Sequence, residues 1–232
     1  MEVAASQEEI KAWFDQVYRR KGFAYLRPRR AYDIFATLLE ATPGKRHLDV
    51  ACGLGLMLKT MSNRGVETHG VDISSEGVRQ AKTYCPEATV AVANAESLPF
   101  EDHSFDYLTC LGSLERMLNR EQVLQEQVRV AKPGARFCFM VRNSEHVIWR
   151  FILKPLGLQN KTGHQDALNL EEWTHLFRTC GLKPVRVERD HWPYFRLLEW
   201  IWPFRKVDTS RPRKLRYPLS WAYEFIFILE KA

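Results

Sequence analysis

Short apolar strands and amphipathic helices alternate along the middle of this chain, and that alternation limits its fold more than any other feature. The segments RHLDVA, VETHGVD, ATVAVA, FDYLTCL and ARFCFMVR have the apolar runs typical of buried strands, and helical patterns separate most of them. Such alternation favours a parallel sheet with helices on both faces. The late strands KPVRVERD and WAYEFIFILEK have no obvious helix between them. We therefore expect a doubly wound α/β sheet of seven strands whose last strand is antiparallel.

Length and composition favour one elaborated domain. The chain has 232 residues, of which 45% are hydrophobic, and this suffices for one substantial core. It contains no apolar run long enough to span a bilayer, and its start lacks the pattern of a signal peptide, so we expect a cytoplasmic protein. Five cysteines lie without metal-ligand spacing, which predicts buried free thiols and no metal site. The net charge of +6 suggests an anionic partner or surface without identifying it.

The stretch RHLDVACGLGLML, residues 46–58, joins the first predicted strand to a helix through a glycine turn. In an open α/β sheet, ligands bind beyond the carboxyl ends of the strands, where the strand order reverses. Gly53 and Gly55 let the backbone turn sharply and let a ligand approach it. Asp49 can bind a ligand amine, and Asp72, at the end of the next strand, can accept both hydroxyl hydrogens of a ribose. These residues predict a cofactor that carries a nucleoside.

Two common nucleotide motifs are absent from the sequence. The dinucleotide fingerprint needs a third small residue, and Leu58 or Leu56 stands at that position. The phosphate-binding loop G-x-x-x-x-G-K-[ST] is also missing, because the only Gly-Lys pair precedes the first strand. NAD, FAD and ATP therefore fit poorly.

Four segments in order resemble motifs of the class I S-adenosylmethionine-dependent methyltransferases, of the small-molecule and lipid-quinone type. They are LDVACGLGLML, GVDIS, ANAESLPFEDHSFDYLTCLGSLER and RVAKPGARFCFMV, and they span residues 46–142. The resemblance implies a Rossmann-like fold, S-adenosyl-L-methionine as cofactor, and transfer of a methyl group to oxygen or nitrogen of a small hydrophobic or amphipathic acceptor. Such a transfer needs no catalytic metal.

The resemblance also implies which residues contact the cofactor. The glycine turn would lie under its methionine part, and the fourth strand's end would face the same group. The end of the second strand would hold the ribose and one face of the adenine, and the turn ANAESLPF would contact the adenine edge. The residues are Asp49, Ala51, Gly53, Gly55, Asp72, Ile73, Asn94, Ala95 and Leu111. Three positions depart from the common family pattern, because Ala51 replaces Gly, Asn94 replaces Asp and Arg116 replaces His.

Two further groups of residues are candidates for the site. The N-terminal segment YRRKGFAYLRPRR offers tyrosines and arginines to cover the pocket, and we favour Tyr25 and Arg27 as partners of the cofactor's carboxylate. A general base is needed only if the acceptor must lose a proton. We rank His164 first and His146 second as that base, with His191 as a third candidate. For each histidine a purely structural role is an equal alternative.

We expect one methyltransferase domain over residues 1–232. It would comprise an N-terminal helical cap (1–45), a cofactor-binding core (46–142), acceptor-side insertions (143–169 and 191–219), and a C-terminal helix and strand pair (170–190 and 220–232). The second insertion places aromatic residues before a cationic block, which suits a lid over an apolar acceptor or peripheral contact with an anionic membrane surface. A simple extension of the core is an equal alternative.

The sequence disfavours nucleic acid as the substrate. The motif [DNS]-P-P-[YFW] of amino methylation in DNA is missing after the fourth strand, where CLGSLER stands. A nucleophilic Pro-Cys pair is missing as well. Two alternatives stay open, namely an RNA methyltransferase and a non-catalytic protein that binds S-adenosylmethionine.

Overall fold

The computed structural model describes residues 6–146, 150–151, 155–156, 166–192, 195 and 218–231. Its centre is a seven-stranded sheet in the order β3-β2-β1-β4-β5-β7-β6. The strands are β1 (Arg46–Val50), β2 (Glu67–Asp72), β3 (Thr89–Val92), β4 (Phe105–Leu111), β5 (Ala131–Arg142), β6 (Leu182–Arg189) and β7 (Glu224–Lys231). The first five strands pair in parallel, and β7 runs antiparallel to both β5 and β6. The predicted α/β class and antiparallel last strand are confirmed.

Six α-helices are described, and four of them lie between strands along the chain. They are α1 (Gln7–Lys21), α2 (Asp33–Leu38), α3 (Leu56–Ser62), α4 (Ser75–Tyr84), α5 (Arg120–Val130) and α6 (Leu170–Thr179). Short 3₁₀ turns span Gly22–Tyr25, Arg29–Tyr32, Leu114–Arg116 and Leu219–Trp221. Side-chain oxygens cap the N-termini of several helices, as Ser74 does for α4 and Asn119 for α5.

Apolar side chains fill both faces of the sheet. On one face, Val123 and Leu124 of α5 pack with Trp173 and Phe177 of α6 against the strands. On the other face, residues of α2 and α3 such as Phe35 and Met57 pack against β5 and β7. All five cysteines are buried and unpaired, as predicted. None of the helices among the described residues is long and apolar enough to cross a membrane.

The structure differs from the sequence prediction at two element boundaries. The apolar spacing of RRAYDIFATLLEA predicts one helix, but the structure has a 3₁₀ turn followed by the six-residue α2. Pro28 is extended and its carbonyl accepts from Ala31 N at 2.8 Å, which tightens the start into a 3₁₀ turn. Strand β5 begins at Ala131 rather than Ala135, because Ala131 pairs with Phe105 ahead of a register shift in β4.

Candidate active site

The candidate site lies at the carboxyl edge of the parallel strands, where the chain order reverses. Strand β1 lies between β2 and β4, so the sheet grows in one direction through β2 and β3 and in the other through β4 and β5. Crevices at such reversals receive ligands in open α/β sheets. A pocket here encloses about 580 Å³ of space free of protein atoms, part of it open to solvent. Its lining comprises Gln7, Ile10, Phe14, Tyr18, Ala51, Val71, Asp72, Ile73, Ala93, Asn94, Ala95, Ser113, Arg116 and Met117.

The glycine turn after β1 forms one wall of this pocket. Ala51 and Gly53 have φ of +59° and +52°, in the left-handed region that most side chains avoid. Gly55 has φ of +81° and forms the N-cap of α3. The turn is fixed by a hydrogen bond that Gly53 N donates to Asp72 Oδ2 over 2.8 Å. The turn therefore exposes main chain, rather than side chains, to a ligand.

Asp72 lies at the end of β2 and is almost fully buried. Its two carboxylate oxygens accept from Gly53 N and Ser74 N, each over 2.8 Å. Burial raises its pKa to about 6, although both hydrogen bonds lower it. Each carboxylate oxygen retains an unused lone pair, and these can accept the two hydroxyl donors of a ribose. This pair of acceptors fits the nucleoside predicted from the sequence.

Asp49 lies at the carboxyl end of β1 and is also buried. Its Oδ1 accepts a short hydrogen bond, 2.5 Å long, from the hydroxyl of Thr109 on β4. Burial raises the pKa of Asp49 to about 7, Thr109 lowers it, and the nearby Asp72 raises it further. Among the described residues no cation contributes to this pKa, so the carboxylate is suited to a positively charged ligand group.

Helix α1 covers the outer side of the pocket. Asp15 binds the start of α4, since its carboxylate accepts from Ser74 Oγ at 2.5 Å and from Glu76 N at 3.0 Å. Gln7 donates to Glu96 over 2.7 Å. Tyr18 packs so closely on α4 that a Cβ at Gly77 would lie 3.0 Å from its ring. These contacts hold the helix across the opening.

The sequence analysis missed most of the pocket residues that α1 supplies. Gln7, Ile10, Phe14 and Tyr18 are spaced by three, four and four residues, so they form one face of the helix. That spacing is visible in the sequence, but it does not show what the face covers. Arg116, after β4, lies 5.8 Å from the ring centre of Trp13 and 5.6 Å from that of Phe14, so it also contacts α1.

The pocket brings together five of the residues predicted to bind the cofactor, namely Ala51, Asp72, Ile73, Asn94 and Ala95. Other predicted residues lie beside it. Gly53, Gly55 and Asp49 form or precede the turn, and Leu111 pairs with Met140 at the end of β4. Asn94 Oδ1 accepts from Glu96 N, which fixes the orientation of its amide. The cofactor contacts of all these residues stay predictions.

Tyr25 and Arg27 are described residues that do not line this pocket. Tyr25 stacks edge-on against Trp13 and Tyr18, at centroid distances of 6.1 Å, and so lies one ring removed from the pocket wall. Arg27 forms a bidentate pair with Asp190, over 3.0 and 2.8 Å, and also binds Glu224.

The placement of Arg27 corrects the expectation that it binds the cofactor's carboxylate. Its guanidinium is largely buried and already binds two carboxylates of the chain, away from the pocket lining. The other end of Glu224 binds Arg142 over 3.1 Å. Burial would raise the pKa of Glu224, but Arg27 and Arg142 lower it below its usual value. This cluster is a self-neutralised structural unit.

The predicted histidines lie just after β5 and β6 or outside the described residues. His146 follows β5 and packs edge-on against Tyr223, with ring centres 5.1 Å apart. Burial lowers its pKa, which keeps the imidazole neutral near pH 7. His191 is buried after β6, beside Phe195. His164, and most of the 191–219 insertion, lie outside the described residues.

Comparison with known proteins decides the family. A profile described as a methyltransferase domain matches residues 48–139. The ubiquinone biosynthesis O-methyltransferase of Hahella chejuensis is 32% identical over 183 residues, which cover 68% of this chain and 76% of that protein. The chain belongs to the class I S-adenosylmethionine-dependent methyltransferases.

A second relative and a solved structure support this assignment in part. The enzyme of the same name from Alkalilimnicola ehrlichii is 33% identical over 147 residues, which cover 61% of this chain and 59% of the relative. The crystal structure of the [4+2]-cyclase SpnF is 18% identical, with a TM-score of 0.72, and covers 98% of this chain and 97% of that one. The latter match shows the fold alone, since one fold supports different reactions.

The predicted enzyme class and cofactor are confirmed by these comparisons. The methyltransferase uses S-adenosylmethionine, and the geometry of its pocket agrees with that cofactor. The alternatives of an RNA methyltransferase and a non-catalytic binding protein are less well supported than a methyltransferase with a small hydrophobic acceptor.

Proposed function

We propose that this methyltransferase methylates a hydroxyl oxygen of a small acceptor with a large apolar part, such as a phenol with an isoprenoid tail. The observation that carries the proposal is the match to the Hahella O-methyltransferase over 68% of this chain. The methyltransferase profile covers only residues 48–139, so the likeness extends beyond the cofactor-binding strands.

Different residues around the pocket contact different parts of the cofactor. Asp72 accepts the ribose hydroxyls, and the apolar side chains of Val71, Ile73 and Ala95 contact the adenine. Asp49 faces the amino end of the methionine part, directly or through water. When bound, S-adenosylmethionine supplies an activated methyl group on its sulfonium centre. The protein then mainly aligns the acceptor and excludes water.

A phenolic acceptor must lose its proton as the oxygen is methylated, which calls for a base. We propose His164 first and His146 second for this role. The neutral state of His146 suits a base, because an imidazole accepts a proton only when it is neutral. If each is replaced by Ala, loss of the base should lower kcat by about 10²–10⁴-fold and leave the affinity for cofactor unchanged. Full turnover in the double variant would show that positioning alone suffices.

A second, smaller cleft supports an apolar acceptor. It lies where β6 and β7 meet α2, and His191 and Asp190 stand at its polar end. Its apolar lining comprises Ala31, Ile34, Leu38, Trp192, Phe195 and Ile226. Trp192 and Phe195 belong to the start of the 191–219 insertion, so this described part of the insertion packs on the cleft. We propose that residues 143–169 and 191–219 form the acceptor side of a single domain over 1–232.

The acceptor class is tested with purified protein and S-adenosylmethionine that carries a labelled methyl group. Phenols and catechols with a long isoprenoid tail are compared with the same rings bearing a methyl group. We expect label in the product, one S-adenosylhomocysteine per methyl transferred, and a kcat/KM at least about tenfold higher for the long tail, since each buried CH₂ contributes about 0.8 kcal/mol. Equal kcat/KM for both, or transfer only to RNA, would contradict the proposal.

We also propose peripheral contact with an anionic membrane surface, where such acceptors reside. The basic residues of the 191–219 insertion support it, and Trp221 just beyond is 68% exposed. Sedimentation with vesicles measures the contact. Binding should rise with the fraction of anionic lipid and fall with added salt. Equal sedimentation with neutral and anionic vesicles would oppose it.

A further inference from the structure

A chain of three buried polar side chains runs from the interior of the sheet to the glycine turn. His47 Nε2 lies 2.8 Å from Thr109 Oγ1, and Thr109 Oγ1 lies 2.5 Å from Asp49 Oδ1. His47 and Thr109 are completely buried, and Asp49 is 4% exposed. Asp49 and Thr109 are direct neighbours across β1 and β4. This row of hydrogen bonds ends at Asp49, two residues before Ala51, which lines the cofactor pocket.

The three side chains favour hydrogen bonds that are donated in one direction, from His47 through Thr109 to Asp49. Thr109 donates its single proton to the carboxylate of Asp49 when that carboxylate is ionised. Its oxygen then accepts from His47, which requires the proton of the neutral imidazole to be on Nε2. Burial and the nearby His69 lower the pKa of His47 to about 3, so the ring is neutral at working pH.

The opposite direction leaves a buried donor unsatisfied. If Asp49 were protonated and donated to Thr109, the threonine would donate to His47 Nε2 and the imidazole proton would move to Nδ1. His47 Nδ1 has no hydrogen-bond partner among the described residues. A bare nitrogen lone pair is tolerated there at less cost than an unpaired N–H. The hydrogen bonds from His47 to Thr109 and from Thr109 to Asp49 therefore stabilise the ionised form of Asp49.

The other groups that face Asp49 are neutral or anionic. They are Asp72 on β2, the thiols of Cys52, Cys110 and Cys138, and the hydroxyl of Tyr32. Burial raises the pKa of each thiol and of Tyr32, so these groups are un-ionised near pH 7. Asp72 is the second group that titrates near this pH. The positive charge that Asp49 lacks is thus left for a ligand to supply.

We propose that Thr109 and His47 are positioning residues that keep Asp49 ready for the α-ammonium group of the cofactor, and that cofactor binding releases a proton from this carboxyl to solvent. The inference rests on the proposed binding mode of the cofactor and adds a linkage between its affinity and pH. The protonated fraction of Asp49 loses its proton as the ammonium binds. Asp49 supplies most of the released proton.

Proton release is measured by calorimetric titration of S-adenosylmethionine into the whole protein in buffers of different ionisation enthalpy. With a pKa of about 7 for Asp49 and about 6 for Asp72, we expect Asp49 to release about half a proton at pH 7 and Asp72 to add about a tenth of a proton. The ligand's own ammonium titrates near pH 8. That contribution cancels when variants are compared with the unaltered protein at the same pH.

The deciding variant is Thr109→Val, which keeps the shape of the side chain and removes its hydroxyl. If loss of this hydrogen bond raises the pKa of Asp49 by about one unit, cofactor affinity falls by about tenfold at pH 6 and about twofold at pH 8. His47→Phe should act in the same direction with a smaller effect. Thr109→Ser and His47→Gln keep the donors and should restore the original pH profile.

Three results would overturn the inference. One is an equal loss of affinity in Thr109→Val at every pH, which a purely structural defect would produce. Another is the absence of proton release by the unaltered protein at pH 7 although it binds the cofactor. The third is a long-range ¹H–¹⁵N spectrum in which the His47 resonance, assigned by its loss in His47→Gln, shows the proton on Nδ1. An unaltered protein that bound no S-adenosylmethionine at all would instead contradict the proposed function.

Discussion

Two groups of buried carboxylates at the carboxyl edge of the sheet have different surroundings. Over β1 and β2, Asp49 and Asp72 receive hydrogen bonds from neutral donors only, and burial raises their pKa values to about 7 and 6. No cation of the described residues contributes to either pKa. These two carboxylates therefore keep free capacity for the charge and the hydroxyl groups of a ligand.

Over β6 and β7 the buried carboxylates are already neutralised. Arg27 binds both Asp190 and Glu224, and Arg142 binds Glu224 from the other side. Two cations and two carboxylates leave no net charge in the cluster. The comparison shows that burial of a carboxylate is not in itself a sign of a ligand site, because what distinguishes Asp49 and Asp72 is that no described cation contributes to their pKa values.

Removal of the Arg27 charge should have the largest effect on stability. Arg27→Met leaves Asp190 and one side of Glu224 without their cation, and we expect the free energy of unfolding to fall by about 3–5 kcal/mol. Urea denaturation measures this value. The double variant Arg27→Met/Asp190→Asn should recover much of the loss, because Glu224 keeps Arg142. If Arg27→Met kept full stability but bound the cofactor more weakly, the roles assigned to the two groups of carboxylates would be contradicted.

Asp49→Asn should have the opposite effect on stability. The pKa of Asp49 is about 7 in the folded protein and is ordinarily 3.8, so folding takes up a proton between those values. Stability therefore falls as the pH rises from about 4 to about 7. At pH 8 the neutral Asn should stabilise the protein by about 1–3 kcal/mol. Thermal unfolding at pH 8 and pH 4 checks this, and an equal effect at both would contradict it.

The same variant should bind S-adenosylmethionine at least about tenfold more weakly, since a hydrogen bond to a charged group contributes about 1.5–3 kcal/mol. Calorimetry at pH 8 measures the affinity. A gain in stability together with a loss of affinity would identify Asp49 as a residue kept for function. Loss of both would place it with the structural cluster around Arg27.

Helix α1 should affect cofactor affinity through Tyr18. Tyr18→Ala removes a ring that is 5% exposed and lines the pocket, and we expect about tenfold weaker cofactor binding from about 1–2 kcal/mol of lost apolar contact. Tyr18→Phe keeps the ring and should stay within about twofold. Fluorescence or calorimetric titration distinguishes them, and equal effects of both variants would assign the loss to the hydroxyl instead.

The smallest expected effect is at Asp15. Its contacts with Ser74 and Glu76 at the start of α4 hold its pKa below the usual value, despite the opposing effect of burial. Asp15→Asn should therefore lower stability by about 1 kcal/mol at pH 7, and the difference should vanish as the pH falls below about 4. Asp33→Asn, at a partly exposed pair with Arg29, is the control and should change stability by less than about 0.5 kcal/mol.

Local sequence patterns were sufficient for the strands and for the cofactor turn. Strand β4 spans the predicted FDYLTCL, because its apolar run is bounded by polar residues at the start and by Gly112 at its end. Asp72 was identified because the ribose ligand of this sheet type lies at a fixed place, the tip of the second strand. Both inferences use contacts that lie close together in the chain or are set by the sheet.

Contacts between distant parts of the chain could not be predicted in this way. Arg27 meets Asp190 and Glu224, which lie 163 and 197 residues further on, and nothing in YLRPRR indicates these partners. The apolar face of α1 was visible, but the sequence does not show that it lies across the pocket rather than on the core. The hydrogen bonds of His47 likewise depend on the pairing of β1 with β4.

The most direct test of the account is the affinity of Asp72→Ala for S-adenosylmethionine, measured by calorimetry at pH 8. Loss of two hydrogen bonds to an ionised carboxylate predicts a dissociation constant at least about 100-fold higher. Asp106→Ala is the matched control, because Asp106 lies at the start of β4, on the opposite edge of the sheet, and binds Lys132. It should bind the cofactor as the unaltered protein does. An unchanged affinity in a folded Asp72→Ala protein would contradict the assignment of this pocket.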